Sequence, residues 1–298
     1  MMPIAMCIGA IGYDWFEHLS FLMPYLIFFM LLFTFSKLSP KGIKYTRLHF
    51  ILLAIQLIGG TAFYFLSSSF NEILAEGGMI CIIAPTATAA AVITSILGGD
   101  LKFITGYVLI SNLGAAIVAP LLFTFGLGTE DVSFITTFTD IFVKVFPLLF
   151  APLLLAWFIR FTMPPVQNFM LKFSKAPFYF WSFSLTIATA TTVSYLVRLE
   201  NHNFTLEISM AIISLIICGS QFIIGKTLGS KYNNRIAAGQ SLGQKNTILA
   251  IWMAQVFLNP ITALAPATYI LWQNIINSYQ LWKKSRKDEA AQTLKARD

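Results

Sequence analysis

Apolar residues occur in long runs along this chain, and short polar stretches separate the runs. Stretches such as VFPLLFAPLLLAWFI are apolar on every face, whereas a surface helix of a soluble domain has one polar face. Crossing the hydrocarbon core of a bilayer takes about 20 residues of helix. We therefore divide the chain into ten predicted membrane helices, which are residues 2–18, 20–36, 49–70, 73–97, 101–126, 134–161, 177–198, 205–228, 235–258 and 261–282.

The composition also indicates a polytopic membrane protein. Of the 298 residues, 57% are hydrophobic and 11% are charged, whereas soluble domains carry about 25% charged residues. The mean hydropathy is +0.73, which a soluble domain rarely reaches. Cys7, Cys81 and Cys218 lie in apolar segments without metal-ligand spacing, so we expect them to be small buried hydrophobic residues.

The net charge of +7 is explained by membrane orientation, and a nucleic-acid partner is not needed. If the N-terminus is cytoplasmic, the opposite side receives only Arg198 among the basic residues, together with most of the acidic residues. The C-terminal tail, residues 283–298, is then cytoplasmic, solvated and in contact with anionic lipid. The other cytoplasmic basic residues are Lys37, Lys41, Lys44, Arg47, Lys102, Arg160, Lys172, Lys175, Lys226, Lys231 and Arg235.

The first segment is short for a full crossing, so it predicts either a short first helix or a partial insertion. The charge pattern orients every later loop in either case. No basic region and no small-residue cleavage site accompany this segment, and we therefore expect no cleaved signal peptide. The expected location is the inner or plasma membrane.

Two basic residues fall inside predicted membrane helices. Lys144 follows Asp140 by four residues, and that spacing on a helix predicts an ion pair. Lys245 has no acidic residue in its own segment. A charge inside a membrane segment is energetically costly and is usually functional.

Two segments contain signals of interruption, the fourth and the ninth. Pro85 lies in the middle of the fourth segment, and a proline removes a backbone donor and breaks or kinks a helix. The ninth contains GQSLGQKNT, residues 239–247, with two glycines and a polar cluster. A joint at 126–133 divides the chain five plus five, and a second joint lies at 162–175. Interrupted helices at matching positions of two halves indicate a transporter's binding site, although a simple packing kink is the structural alternative.

These motifs resemble those of the bile acid:sodium symporter family of secondary transporters. IAPTATAAAVITSILGGD, residues 83–100, resembles the family's proline-containing fourth helix, and GQSLGQKNT is similar to its ninth-helix motif. In that register Gln240 takes the place of the family's carboxylate, Gln244 keeps its glutamine, and Lys245 replaces its asparagine. ILWQNI, residues 270–275, resembles a tenth-helix stretch, and Gln56 falls where the family has a third-helix glutamine.

The resemblance implies an all-α membrane protein of ten transmembrane helices in two five-helix inverted repeats. Helices four and nine would be broken and would cross. The repeats would be residues 1–126 and 134–282, joined by a linker at 127–133 and followed by the tail. A panel domain would contain helices one, two, six and seven, and a core domain the other six. Two sodium ions would lie behind the crossing, and an organic anion would bind in front of it.

The positions that match the family's first sodium site offer few ligands. Four of them are apolar, so they have no side-chain oxygen for a hard cation; they are Ala90, Ala91, Ile104 and Val108. Gln240 replaces the carboxylate that both sodium sites would use. Three amide oxygens, from Gln56, Gln240 and Gln244, are the candidate ion ligands, and sodium is the only candidate ion or cofactor.

Four interpretations of Lys245 follow from the residues. Its ammonium could occupy the vacated cation position, or it could pair with a substrate carboxylate or sulfonate. It could instead be desolvated and titrate, which would couple transport to protons. The structural alternative is that the side chain reaches a membrane interface. With Lys245, the candidate substrate-binding residues are Asn246, Thr247, Thr86, Thr88 and Asn274, and a weaker polar patch is Thr186, Thr189, Thr191 and Thr192.

The expected function is secondary transport of a small organic anion by alternating access. Sodium symport and sodium-independent transport, either proton-coupled or facilitated, are both open from the sequence. A channel or a non-transporting sensor is a more remote alternative. We expect no enzymatic activity, because His18, His49 and His202 lie far apart and neither an HExxH nor a GxSxG motif occurs.

Overall fold

The computed structural model describes residues 2–38, 43–126, 133–173, 175–198 and 203–295, and the regular structure in them is helical. This confirms the all-α class. Apart from Ser133, the predicted linker at 127–133 lies outside the described residues. Helices of the first half are α1 (Met2–Ile11), α2 (Tyr13–Phe16), α3 (Met23–Phe35), α4 (Arg47–Ser67), α5 (Glu72–Ile83), α6 (Ala89–Leu97) and α7 (Leu101–Gly126).

The second half has the same broad order, including a second interrupted helix. Its helices are α8 (Phe134–Thr162), α9 (Pro164–Lys172), α10 (Ala176–Val197), α11 (Phe204–Ser230), α12 (Arg235–Gly243), α13 (Thr247–Phe257) and α14 (Leu264–Lys295). Short 3-10 segments, Glu17–Leu22 and Pro260–Ala263, precede α3 and α14.

Several helices are long and apolar enough to cross a membrane, so the chain has the character of an integral membrane protein. Within the described residues there are six such spans: Tyr13–Phe35, Arg47–Ser67, Leu101–Phe125, Phe134–Thr162, Ala176–Val197 and Phe204–Ser230. The first of them includes the 3-10 segment before α3. The predicted fourth and ninth segments are instead divided into halves of 9 to 12 residues. Each half rises about 1.5 Å per residue and reaches about halfway across a bilayer.

We divide the helices into two groups by their packing, and the groups meet where α7 packs on α8 and α10 on α13. In one group, α1 and α3 pack on α10, and α3 packs on α8. In the other group, α4, α5 and α7 pack together with α11, α12, α13 and α14. Glu17 accepts hydrogen bonds from Ser194 and Arg198, which fastens the 3-10 segment before α3 to the end of α10. We call the set α1–α3 and α8–α10 the first group and the remaining helices the second group.

Four predictions from the sequence are wrong in detail. The joint at 162–175 contains α9, and α14 continues as a helix through Lys295 into the predicted tail. Cys7 is exposed, whereas Cys81 and Cys218 are buried as expected. Lys144 and Asp140 form none of the described ion pairs, and the Lys144 ammonium lies 6.0 Å from the centre of the Phe257 ring.

Candidate functional site

Both interruptions occur where the sequence removes or displaces helical hydrogen bonds. Pro85 has no N–H, so the carbonyl of Cys81 cannot receive the bond that would continue α5. In the ninth segment α12 ends at Gly243 and α13 begins at Thr247, with Gln244 in an extended conformation between them. The sequence therefore predicted both breaks correctly.

The two breaks cross and are joined through their main chains. The N–H of Ala87 donates to the carbonyl of Gln244 at 2.9 Å, and the N–H of Asn246 donates to the carbonyl of Pro85 at 2.8 Å. The two segments run antiparallel, with Thr86 opposite Lys245. We call residues 84–88 and 244–246 the crossing.

Gln56, on α4, supplies donors to the carbonyls left free at the end of α5. Its amide nitrogen donates to the carbonyls of Ile83 and Ala84, both at 3.0 Å. Its amide oxygen accepts a hydrogen bond from the Tyr107 hydroxyl at 2.8 Å. Gln56 is fully buried, so these bonds replace water that cannot reach the break.

The Lys245 ammonium also lies at the C-terminal end of α5. It donates to the carbonyl of Ile82 at 2.7 Å, and the lysine side chain is only 1% exposed. None of the ion pairs among the described residues joins Lys245 to a carboxylate. Free carbonyls at the C-terminus of a helix carry the negative end of the helix dipole, so a cation there is stabilised.

The carbonyl that Pro85 leaves without a partner is also satisfied. Gln221, on α11, donates from its side chain to the carbonyl of Cys81 at 3.2 Å. With the bonds from Gln56, Lys245 and Asn246, the carbonyls from Cys81 to Pro85 all have donors. The carbonyls freed by the break after α5 therefore all accept hydrogen bonds from other parts of the chain.

The break in the ninth segment receives its partners in the same manner. The Thr86 hydroxyl donates to the carbonyl of Ser241 at 2.6 Å, and the Tyr269 hydroxyl donates to the carbonyl of Gly243 at 3.0 Å. The N–H of Lys245 donates to the side-chain oxygen of Gln273 at 3.0 Å. Asn246 caps α13, because its side-chain oxygen accepts from the N–H of Leu249.

Gln240 and Gln244 are linked by a residue that the sequence analysis missed. Gln240 donates to the Asn277 side-chain oxygen at 2.8 Å, and Asn277 donates to the side-chain oxygen of Gln244. Two of the three amide oxygens proposed for sodium, those of Gln56 and Gln244, thus accept hydrogen bonds from the protein. The oxygen of Gln240 is buried and has no hydrogen-bond partner among the described residues.

The positions matching the family's first sodium site lie in apolar surroundings. Ala90 and Ile104 belong to a buried apolar cluster with Leu52 and Leu242. Val108 belongs to another such cluster. An ion that requires several oxygens finds no side-chain ligand at these three positions.

The remaining predicted residues differ in how close they come to the crossing. Thr247 is buried at the first residue of α13, and Thr88 is half-buried immediately before α6. The Asn274 side chain donates to the carbonyl of Ile270 in its own helix at 2.7 Å. Within ILWQNI, Gln273 reaches the crossing through its bond from the Lys245 N–H.

A cavity of about 190 Å³ separates part of the first group from α13 and α14 of the second. The polar side chains in its lining are those of Thr189, Thr192 and Thr268. Thr189 and Thr192 belong to the polar patch that the sequence predicted in the helix α10. The lining contains no charged side chain. It consists of Met6, Leu185, Ala188, Thr189, Thr192, Val193, Leu196, Ile251, Leu264, Ala267, Thr268, Ile270 and Leu271.

Several contributors to the site gave no signal in any motif. Asn277 follows Gln273 by four residues, so a helical register through ILWQNI would have placed it on the same face. Tyr107, Gln221 and Tyr269 lie in apolar helices, and each is brought to the crossing only by packing.

The chain matches no protein-family model and has no significant similarity to a curated protein.

Proposed function

We propose that this protein is a secondary transporter that moves a small organic anion across the membrane by alternating access, independently of sodium. The Lys245 ammonium takes the place of a bound cation in this proposal. One observation carries it: a buried ammonium lies 2.7 Å from a carbonyl at the free end of α5, without a carboxylate in any described ion pair.

A tethered cation is consistent with the hydrogen bonds around the crossing. Sodium would need oxygens from Gln56 and Gln244, and both accept hydrogen bonds from neighbouring side chains. The ammonium supplies the positive charge at the helix end without recruiting those oxygens. It also remains at the site throughout a transport cycle, because it is covalently part of the chain.

The packing of the helices supports a rocking motion between two bodies. We interpret the first group as the panel domain and the second group as the core domain of ten membrane helices in two inverted repeats. The crossing belongs to the core domain, and the cavity lies between the two domains. Movement of one domain against the other would expose the cavity to each side of the membrane in turn.

The substrate that fits this arrangement is an anion with an apolar body. The cavity is lined by aliphatic side chains and threonines. Thr88 and Thr247 are not part of the cavity lining, but they stand at the N-terminal ends of α6 and α13, where backbone N–H groups favour negative charge. Lys245 does not line the cavity, and its ammonium is already bound to Ile82. Pairing between Lys245 and the substrate is therefore the less favoured of the functional interpretations.

Sodium symport is the second candidate, and one observation favours it. The side-chain oxygen of Gln240 is buried and has no described hydrogen-bond partner, as an ion ligand would be in the empty state. Rotation of Asn277 away from Gln244 would release a second amide oxygen. A sodium site around Gln240 and Gln244 would then replace the family's carboxylate site.

The decisive experiment is uptake of a panel of labelled organic anions into proteoliposomes, with a sodium gradient or with potassium on both sides. The proposal expects saturable uptake of at least one anion that is equal in the two conditions. Lys245→Met should abolish this uptake, while Lys144→Met should leave it unchanged, because Lys144 is exposed. Uptake that requires sodium would favour the second candidate, and full activity of Lys245→Met would refute the tethered cation.

A further inference from the structure

Three basic residues from three different helices meet at one end of the second group. Lys226 lies in the last turns of α11, Arg235 begins α12, and Lys283 lies in the extension of α14. α11 packs on both α12 and α14, and this packing brings Arg235 and Lys283 within electrostatic range of Lys226. We call these three residues the basic cluster.

The tight hairpin between α11 and α12 holds Lys226 in place. A Cβ built on Gly239 would lie 2.6 Å from the Cγ of Lys226, so the lysine stem lies directly on the glycine backbone. The Lys226 ammonium lies 6.0 Å from the centre of the Phe222 ring. The side chain is therefore half-buried and directed into the protein, although solvent is only one helical turn away.

The charges of the basic cluster are not compensated within the described part of the chain. No described ion pair includes Lys226, Arg235 or Lys283, and the nearby Lys284 pairs with Asp288 instead. Neighbouring like charges repel one another, and water screens the half-buried Lys226 less than the exposed Arg235 and Lys283. An arrangement of this kind is stabilised by a bound anion.

A fourth group points to the same conclusion. The side-chain nitrogen of Gln280 is buried and has no acceptor among the described residues. Gln280 precedes Lys283 by three residues, so the two side chains lie on one face of α14. The basic cluster and the side-chain nitrogen of Gln280 are all donors, which is the complement of a group rich in acceptor oxygens.

We propose that the basic cluster and Gln280 bind the phosphodiester group of an anionic phospholipid. Phosphate oxygens accept several charge-assisted hydrogen bonds at once, and lysine and arginine are their usual partners. An exposed apolar stripe on α14, formed by Ile275, Tyr279 and Trp282, ends at the residue before Lys283. Aromatic residues of this kind lie at the headgroup level of membranes, so the stripe would contact the acyl chains of the same lipid.

The stripe is the reason for choosing a lipid over a free phosphate. Its three side chains are between 57% and 59% exposed, and they suit hydrocarbon better than water. The Arg286 guanidinium lies 5.8 Å from the centre of the Trp282 ring and extends the positive charge along the helix. A free phosphate would use the basic cluster but would leave the stripe uncovered.

The test measures thermal unfolding of the full-length protein in detergent during titration with short-chain phosphatidylglycerol. Phosphatidylcholine of the same chain length and inorganic phosphate are titrated in parallel. Phosphatidylglycerol should raise the midpoint temperature saturably, and the other two should not, because one lacks net charge and the other lacks acyl chains. Lys226→Gln and Lys283→Gln should each raise the half-saturating lipid concentration about fivefold.

Lys172→Gln is the matched control, since Lys172 is an exposed lysine of α9 in the first group. It should bind phosphatidylglycerol like the unmodified protein. An equal response to phosphatidylcholine would overturn the headgroup site, and an equal response to inorganic phosphate would overturn the lipid as its occupant. Unchanged titrations of both Lys226→Gln and Lys283→Gln, in proteins that unfold normally without lipid, would overturn the role of the basic cluster.

Discussion

Gln56→Leu should destabilise the fold far more than a typical glutamine substitution in a membrane helix. Gln56 makes three buried hydrogen bonds, to the carbonyls of Ile83 and Ala84 and from the hydroxyl of Tyr107. Leucine has a similar volume but can make none of them. The substitution therefore leaves three polar groups unsatisfied in a fully buried region.

The magnitude follows from the number of groups left without partners. Each buried unsatisfied group costs about 1–3 kcal/mol, so the three groups left by Gln56→Leu should lower the free energy of unfolding by about 3–9 kcal/mol. Tyr107→Phe removes only one of the three bonds and should cost about 1–3 kcal/mol. The two variants thus remove three hydrogen bonds and one hydrogen bond at the same site, and their costs in stability should differ accordingly.

Gln255→Leu provides the matched control. Gln255 is half-buried and donates to the Thr192 hydroxyl at 3.1 Å and to the carbonyl of Ala188 at 3.4 Å. The Thr192 hydroxyl also donates to that carbonyl at 2.8 Å, so no buried group is left unsatisfied. The expected cost is about 0.5–1.5 kcal/mol. Chemical unfolding in mixed micelles, followed by circular dichroism, would measure all three variants. If Gln56→Leu lowered the free energy of unfolding no more than Gln255→Leu does, the claim that Gln56 satisfies the carbonyls at the end of α5 would be refuted.

Two further predictions concern packing and a buried carboxyl group. Gly243→Ala should destabilise the protein by about 1–3 kcal/mol, because the new Cβ overlaps the Phe222 ring. Gly219 has open space around it, so Gly219→Ala should be neutral or should stabilise the protein by up to about 1 kcal/mol in the same unfolding assay. Glu76 is 5% exposed and accepts a hydrogen bond from the Thr262 hydroxyl at 2.9 Å. Glu76→Ala should therefore cost about 1–3 kcal/mol and Glu76→Gln less, because the amide oxygen can still accept; equal losses for the two variants would contradict this explanation.

Local chemistry was sufficient to predict the helices and both breaks. Pro85 lacks a donor, and Gly239 and Gly243 flank a polar cluster, so each interruption has a cause within a few residues of its position. The apolar runs likewise predicted most helix ends to within a few residues. These features depend on neighbours in sequence, which a single chain displays.

The partners of the broken ends could not be predicted, because they depend on how distant helices rotate against one another. Tyr107 lies in an apolar helix, and nothing in its immediate sequence relates it to the crossing. Asn277 shares a helix face with Gln273, but the rotation that turns this face towards the crossing depends on distant helices. Glu76 lies near the start of the predicted fourth segment, and nothing around it indicates that it is buried and hydrogen-bonded to Thr262, which lies far along the chain. Asn274 was predicted to bind substrate, and its neighbour Gln273 accepts a hydrogen bond from the Lys245 N–H at the crossing. The two side chains differ by one residue of rotation, about 100° on a helix.

The crossing is joined by main-chain bonds, and this has a consequence for how such proteins diverge. The two bonds use the N–H groups of Ala87 and Asn246, which every residue except proline possesses. Point mutation can therefore change the side chains around the crossing, even at a cost in stability, while these two main-chain bonds remain available. The charge at the crossing can vary more freely than the path of its backbone.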